Sequence, residues 1–390
     1  MTPSGSQQQD SFRSRFFRWV DRFDFLQIIP MALLITIGLF FIYSTGQQIG
    51  GVAATTFWKK QILWVVIGLG IWITLAVTDY RGFKYWSLPI YLLSLASLAL
   101  VLIVGLKIYG ARRWLQVGPL RLQPSEFAKF ATLIMLAAIM SIRDFNINKY
   151  RNIFLVACVA GAPFLLILLE PDLGSSLVIP PIVAALLFVS NLKMKYIIMG
   201  SALGIVLISG EILNEKYQVY PILKGYQRER VMVFLEPDRD PTNRGWNQHQ
   251  AELAVGSGGF AGKGFMLGTQ NALGFLPKTV SNTDFIFSVI AEETGFAGST
   301  AIIALYFFLI CSAVRTAAIA RDKFGRFIAV GIAAIIFVHT VVNIGMSIRL
   351  MPVTGLPLPF ISYGGSFMLS SLIYLGVLQS IYAQRRKAFS

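Results

Sequence analysis

Asp284 is the side chain in this sequence with the clearest capacity for chemistry. It stands in SNTDFIFSVIAEETGF, where a long polar stretch gives way to an apolar run reaching about Cys311. Acids are scarce in this chain: between Phe25 and Ser125 there is only Asp79. A carboxylate at the mouth of an apolar helix is tolerated where it meets water, a cation or a substrate. Capping the helix is the plain use of such an Asp; taking a proton from a substrate is the other. Glu292 and Glu293 follow two turns later, roughly 12 Å along a helix, and Lys129 is the partner expected for these intramembrane acids.

Four further groups share the polar segments with it. In KIYGARRWLQVGPLRLQPSEFAK, Arg112 and Arg113 precede Trp114. Trp114 either anchors at the headgroup level or, with the two arginines, forms a site for a phosphorylated lipid, since Arg makes bidentate bonds to phosphate. Pro124, Glu126 and Lys129 then open a helix. Glu126 and Lys129 are three apart and share a face, as a plain ion pair or as a pair lining a wet cavity; a lone charge at mid-bilayer would cost about 3 kcal/mol. Glu170, Pro171 and Asp172 read as a tight turn whose last acid caps the next helix or flanks the same cavity. GYQRERVMVFLEPDRDP carries Arg228 and Arg230, as a solvated face or as diphosphate ligands on an amphipathic helix. The glycines from Gly256 to Gly264 let backbone turn tightly or approach a ligand. GK here lacks the spacing of a nucleotide-binding loop. Pro352, Pro357 and Pro359 exclude a regular helix and need protein or water around them.

The elements that must position these residues are apolar. The chain has 390 residues, 55% hydrophobic and 14% charged, against roughly 25% charged in a soluble globule, and its mean hydropathy is +0.64. The expected fold is all-α: a polytopic membrane protein with about ten transmembrane helices. About twenty apolar residues cross a bilayer, and such runs fall near 26–46, 58–78, 84–106, 126–142, 151–169, 173–191, 195–213, 284–311, 326–347 and 360–382. A kink is expected at Pro180–Pro181. The divisions are a cytoplasmic tail at 1–25, a single membrane domain at 26–383 with a long outward loop at 214–283 between helices 7 and 8, and a cytoplasmic tail at 384–390. Arg13, Arg15, Arg18 and Arg22 before the first run read as an uncleaved signal-anchor. Both termini and the loops near 81, 147, 193 and 320 hold 18 of the 34 cations. The short loops opposite hold seven, so both ends face the cytoplasm and the unusual residues face outward. The net charge of +15 then reflects topology and anionic lipid, not nucleic acid. Cys158 and Cys311 read as small residues in apolar runs, His249 as a polar loop residue and His339 as an intramembrane polar contact. No metal-ligand spacing is present.

Several strings together resemble the SEDS family of bacterial polytopic proteins, which act in shape, elongation, division and sporulation. They are GARRWLQVGPLRLQPSEFAK, PDLGSS, YQRERVMVFLEPDRDP, GSGGFAGKGFMLGTQ, TDFIFSVIAEETGF and NIGM…MPVTGLPLPFISYGGS, in order from about residue 110 to 370. GKGFMLGTQ and TDFIF look more like the elongation member than the division member. The resemblance implies an inverting peptidoglycan glycosyltransferase that polymerises lipid II, a disaccharide-pentapeptide on undecaprenyl diphosphate, at the outer face of the bacterial inner membrane. It implies a class B penicillin-binding protein as partner; no cofactor is required by the chemistry expected below, in which a divalent cation is optional. The family's essential Asp maps onto Asp284, its loop Trp onto Trp114, and its Glu and Lys onto Glu126 and Lys129. Two departures stand out: FLPKTVSNTD is longer than the family's usual approach to the Asp, with Lys278 in place of an acid, and Arg349 replaces a common Gly.

The chemistry expected is attack of an acceptor sugar hydroxyl on the donor's anomeric carbon, with Asp284 as general base. A free Asp, with a pKa of about 3.9, is a weak base, and partial desolvation at a membrane mouth strengthens it. The leaving lipid diphosphate needs cations more than an acid, so one carboxylate suffices where glycosidases use two. Arg112, Arg113, Lys129 and Arg228 are the cations available. The competing readings are a flippase for lipid-linked precursors, a division-type member, and a non-catalytic scaffold for the cross-linking enzyme.

Overall fold

A backbone surrounded by lipid must satisfy its hydrogen bonds internally, which makes each apolar run a helix. The computed structural model describes residues 22–46, 56–108, 111–118, 120–196, 198–200, 232–234 and 244–385, with isolated positions from 202 to 210. Among the described residues the elements begin with α1 (Phe25–Thr45), α2 (Thr56–Val77), α3 (Gly82–Tyr85) and α4 (Ser87–Val104). Strands β1 (Leu106–Ile108), β2 (Ala111–Val117) and β3 (Leu120–Leu122) follow. Then come α5 (Pro124–Met140), α6 (Tyr150–Leu169), α7 (Leu173–Leu177) and α8 (Ile179–Val189). The later described elements are α9 (Arg244–Ser257), α10 (Thr269–Ala272), α11 (Lys278–Ser281), α12 (Ile286–Ile319), α13 (Lys323–Ser347) and α14 (Gly365–Ala383).

Seven of these helices, α1, α2, α4, α6, α12, α13 and α14, are long and apolar enough to cross a membrane. The protein is a multi-pass membrane protein. Three of the ten expected runs differ from that pattern. The fourth is α5, 17 residues long. The sixth divides at Val178 into α7 and α8, and Pro180 falls in the first turn of α8, where a missing N–H is harmless. The seventh lies largely outside the described residues, although its described positions are helical.

Burial ranks the helices. In their most apolar windows α13 and α14 are 72% and 83% buried, while α2, α4 and α6 are 28% buried. The first two form the centre and the last three the lipid-facing rim. α14 packs on α2, α12 lies between α1 and α13, and α5 joins α4 to α13. One end of the bundle is tied by Asp24, which accepts from Ser312 Oγ (2.6 Å) and pairs with Arg315, and by Asp322, which holds Tyr80 and Arg81. The opposite end gathers the loops that carry the candidate chemistry.

The loop after α4 is a three-stranded antiparallel sheet in the order β1-β2-β3, with Lys107 opposite Arg112 and Gln116 opposite Arg121. The all-α expectation passed over it because its strands are short and their polar and apolar residues are interleaved. β2 packs on the ends of α4 and α5, and β3 on α14.

Candidate functional site

Asp284 lies in a turn between α11 and α12, whose N-cap is Phe285. Three successive main-chain carbonyls here are held from outside. Asn282 O accepts from Tyr363 N (2.8 Å), Thr283 O from Ser362 Oγ (2.6 Å), and Asp284 O from Asn343 Nδ2 (2.9 Å). The backbone is thereby fixed. Residues 285–290 are buried, while Asp284 itself is only half-buried. The N-cap position falls to Phe285, one residue after Asp284.

The segment after α13 makes this clamp possible. Its prolines prevent a helix, and its carbonyls are satisfied by side chains from the bundle, as irregular backbone at membrane depth requires. Leu356 O accepts from Asn343, Pro357 O bonds His339 Nδ1, and Pro359 O accepts from Tyr306. Gln61 of α2 donates to Ser362 O (3.3 Å) and accepts from Gly364 N (3.2 Å). α1 passes so close that a Cβ on Gly38 would stand 2.7 Å from Ile361 Cα.

Glu126 and Lys129 pair at 2.9 Å in the first turns of α5, with Pro124 at the helix start. Lys129 is fully buried and also lies 3.0 Å from His339 Nε2. Lys129 is therefore not the partner of Glu292 or Glu293. Lys263 takes Glu292 at 2.7 Å, and Ser44 Oγ and Met266 N donate to Glu293. The cause is a break in α12. Gly295 has φ 69°, ψ −160°, which ends the helical ladder and frees backbone groups on both sides. The glycine-rich loop fills the gap. Lys263 N and Gly264 N donate to the carbonyls of Glu292 and Glu293, and Phe296 N and Ala297 N donate to those of Gly259 and Phe260. The close approach read from these glycines is to protein backbone.

Arg112 is exposed and bonds the carbonyls of Leu102 and Ile103 at the end of α4 (3.2 and 2.7 Å). Its neighbour on β2, Arg113, points the other way, to the carbonyls of Glu170 and Pro171 and to the Asp172 carboxylate (3.7 Å). Trp114 is half-buried on the same strand. Asp172 caps α7, accepting from Ser175 N and Oγ, and also receives Gln123 Nε2 (3.0 Å). Burial pushes its carboxyl up, but the Arg113 guanidinium, the Ser175 bonds and the Lys129 ammonium outweigh it and hold the group below its ordinary range. Asp172 and Lys129 thus share one electrostatic neighbourhood. Burial, then the Asp172 charge, pushes the Glu170 carboxyl up to about 9 against the pull of Arg113. Arg228 and Arg230, with the amphipathic helix expected around them, lie outside the described residues.

The structure brings Asp284, Glu126, Lys129, Arg113 and Asp172 to one end of the bundle. It adds Asn343, Ser362 and Lys263, which the sequence reading passed over. Polar residues inside the apolar NIGM and SYGGS strings were the available signal. Arg349 also gains a role, pairing at 3.3 Å with Glu252 of α9. Among the described residues no group of three or more His, Cys, Asp and Glu side chains could hold a metal ion.

Known proteins resemble this one over nearly the whole chain. The chain is 36% identical over 359 residues to the peptidoglycan glycosyltransferase MrdB of Escherichia coli K12, covering 92% of this chain and 93% of that one. It is 30% identical to the peptidoglycan glycosyltransferase RodA of Treponema pallidum, over 94% and 99% of the two chains. Among solved structures, a chain from a study of polymerization and crosslinking by a peptidoglycan synthase complex superposes with a TM-score of 0.78 at 31% identity, over 94% of this chain and 99% of that one. The rod shape determining protein RodA of Thermus thermophilus gives 0.67 at 27% identity, over 94% and 98%. The family model for cell cycle proteins of the FtsW, RodA and SpoVE type matches residues 24–387, and the chain belongs to that family.

Proposed function

We infer that this protein is a peptidoglycan glycosyltransferase that polymerises lipid II at the outer face of the bacterial inner membrane, in cell elongation and shape control. The observation that carries the reading is the setting of Asp284. The main chain at Asn282, Thr283 and Asp284 is pinned at three successive carbonyls, Asp284 is only half-buried, and the buried Glu126–Lys129 ion pair lies at the same end of the bundle. The names of the bacterial relatives support the same activity. The cation asymmetry between the two sets of loops supports cytoplasmic termini and an outward-facing site.

In the reaction an acceptor sugar hydroxyl bonds to the anomeric carbon of the donor as the bond from that carbon to the diphosphate oxygen breaks. Asp284 takes the hydroxyl proton. The departing lipid diphosphate carries its charge away already stabilised, so fixed cations serve it better than an acid. Arg113, which faces the neighbourhood that Asp172 shares with Lys129, meets the diphosphate, with exposed Arg112 on the other side of β2 as a further contact and buried Lys129 as a fixed positive centre. Trp114 stacks on the sugar. A class B penicillin-binding protein cross-links the product; the similarity to a chain of a peptidoglycan synthase complex supports such a partner.

Reconstituted with labelled lipid II, the wild-type chain forms glycan, and Asp284→Ala loses at least about 10²-fold in rate while still binding lipid II. Unchanged polymer from Asp284→Ala would remove the base. Translocation of lipid II without polymer from the wild type would establish the flippase instead.

A further inference from the structure

His339 and Asn343 lie one turn apart on α13, and both are fully buried. His339 faces Lys129 Nζ with Nε2 and the Pro357 carbonyl with Nδ1, each at 3.0 Å. An ammonium only donates and a carbonyl only accepts, so Nδ1 carries the hydrogen and Nε2 presents its lone pair. Asn343 uses both hydrogens of its amide, one on Asp284 O (2.9 Å) and one on Leu356 O (2.8 Å). Leu356 and Pro357 are consecutive. Two side chains on one helix face therefore grip two adjacent carbonyls; one continues to the buried cation and the other to the main chain of the candidate base.

We propose that His339 and Asn343 are positioning residues for glycan synthesis, a two-legged strut that sets the separation of the Lys129 ammonium and the Asp284 carboxylate through the Leu356–Pro357 step. Pro357 suits the bridge because its ring fixes φ and it carries no N–H that needs a partner. The strut rises from one of the two most buried of the seven long spans, and sites held by rigid elements keep their geometry best. Its value lies in alignment, since misplacement of a reacting group by about 1 Å can cost about 10²-fold. The proposal rests on Asp284 as base and Lys129 as cation.

The test is polymerisation of labelled lipid II by the full chain in liposomes over a range of lipid II concentrations, with thermal unfolding of the same preparations. His339→Leu and Asn343→Ala are each expected to lower kcat by about tenfold or more, with KM within about twofold. His339→Gln places an amide oxygen near the position of Nε2 and is expected to recover kcat to within about threefold of wild type. Three results would overturn the strut: wild-type kcat in His339→Leu or Asn343→Ala, a Gln variant as impaired as the Leu variant, or a loss carried by KM. A wild type that makes no glycan, or an active Asp284→Ala, defeats the reading of the site itself. The strut is then decided by unfolding midpoints for Lys129→Met and His339→Leu, alone and combined. Non-additive shifts uphold the tie and additive shifts discard it.

Discussion

Glu170 is fully buried, and neither carboxylate oxygen has a hydrogen-bond partner among the described residues. Its folded value of about 9 stands well above the ordinary 4.5. Between those two values the folded chain keeps a proton that the unfolded chain releases, so this residue's contribution to stability falls as pH rises from about 4.5 to about 9. Asp172 is shifted the other way. Its contribution is present above 3.8 and lost only in acid, so it is constant over that window. Glu170→Gln should therefore unfold at nearly the wild-type temperature at pH 5 and at a progressively higher one toward pH 9. A midpoint difference that does not change with pH would contradict this. The Glu126–Lys129 pair was legible in the sequence because both residues ride one helix three positions apart. Their third partner, His339, comes from another helix, and no spacing rule points to it. The expectation that Lys129 serves Glu292 failed for a related reason: the true partner, Lys263, is brought there by a loop that docks at a break in α12.

That break is the main feature of the elements that the sequence concealed. A single Gly in an apolar run is tolerated in a helix, so TGFAG read as part of one continuous span. Gly295 instead divides the span, and the 259–264 loop completes the hydrogen bonds that the division leaves open. At Gly262, φ is +80° and a Cβ would stand 2.2 Å from the Glu293 carbonyl. Gly262→Ala should cost at least about 2 kcal/mol through backbone strain and collision together. Gly256 has open space around an added Cβ, so Gly256→Ala serves as the control and should leave the unfolding midpoint of detergent-solubilised protein nearly unchanged. Equal losses from the two substitutions would mean that the stitched loop does not hold the break. The long spans were readable because hydropathy over about twenty residues is a strong signal. The small sheet was not, because strands of three to seven residues carry little pattern of their own.

Across the whole molecule, the bundle separates the end tied by Asp24 and Asp322 from the end that carries the candidate site. Asp24 is fully buried and accepts from Leu26 N, Ser312 Oγ and Arg315, while its own N–H meets Gln379. Asp24→Asn should lower stability by about 1.5–3 kcal/mol, the range for hydrogen bonds to a charged group. Glycan formed per folded molecule should be unchanged; a fall in that specific activity would show the two ends to be coupled. The family-bearing strings were legible from end to end. How they meet was not, because nothing in a linear pattern says that residues of the second helix brace the turn before the last. Gln61 makes that brace with Gly364, 303 positions further on. A ribosome still short of Ser362 has therefore made nearly every span while the Asn282 and Thr283 carbonyls lack the donors that fix them, so the turn that carries Asp284 takes its final form among the last events of synthesis.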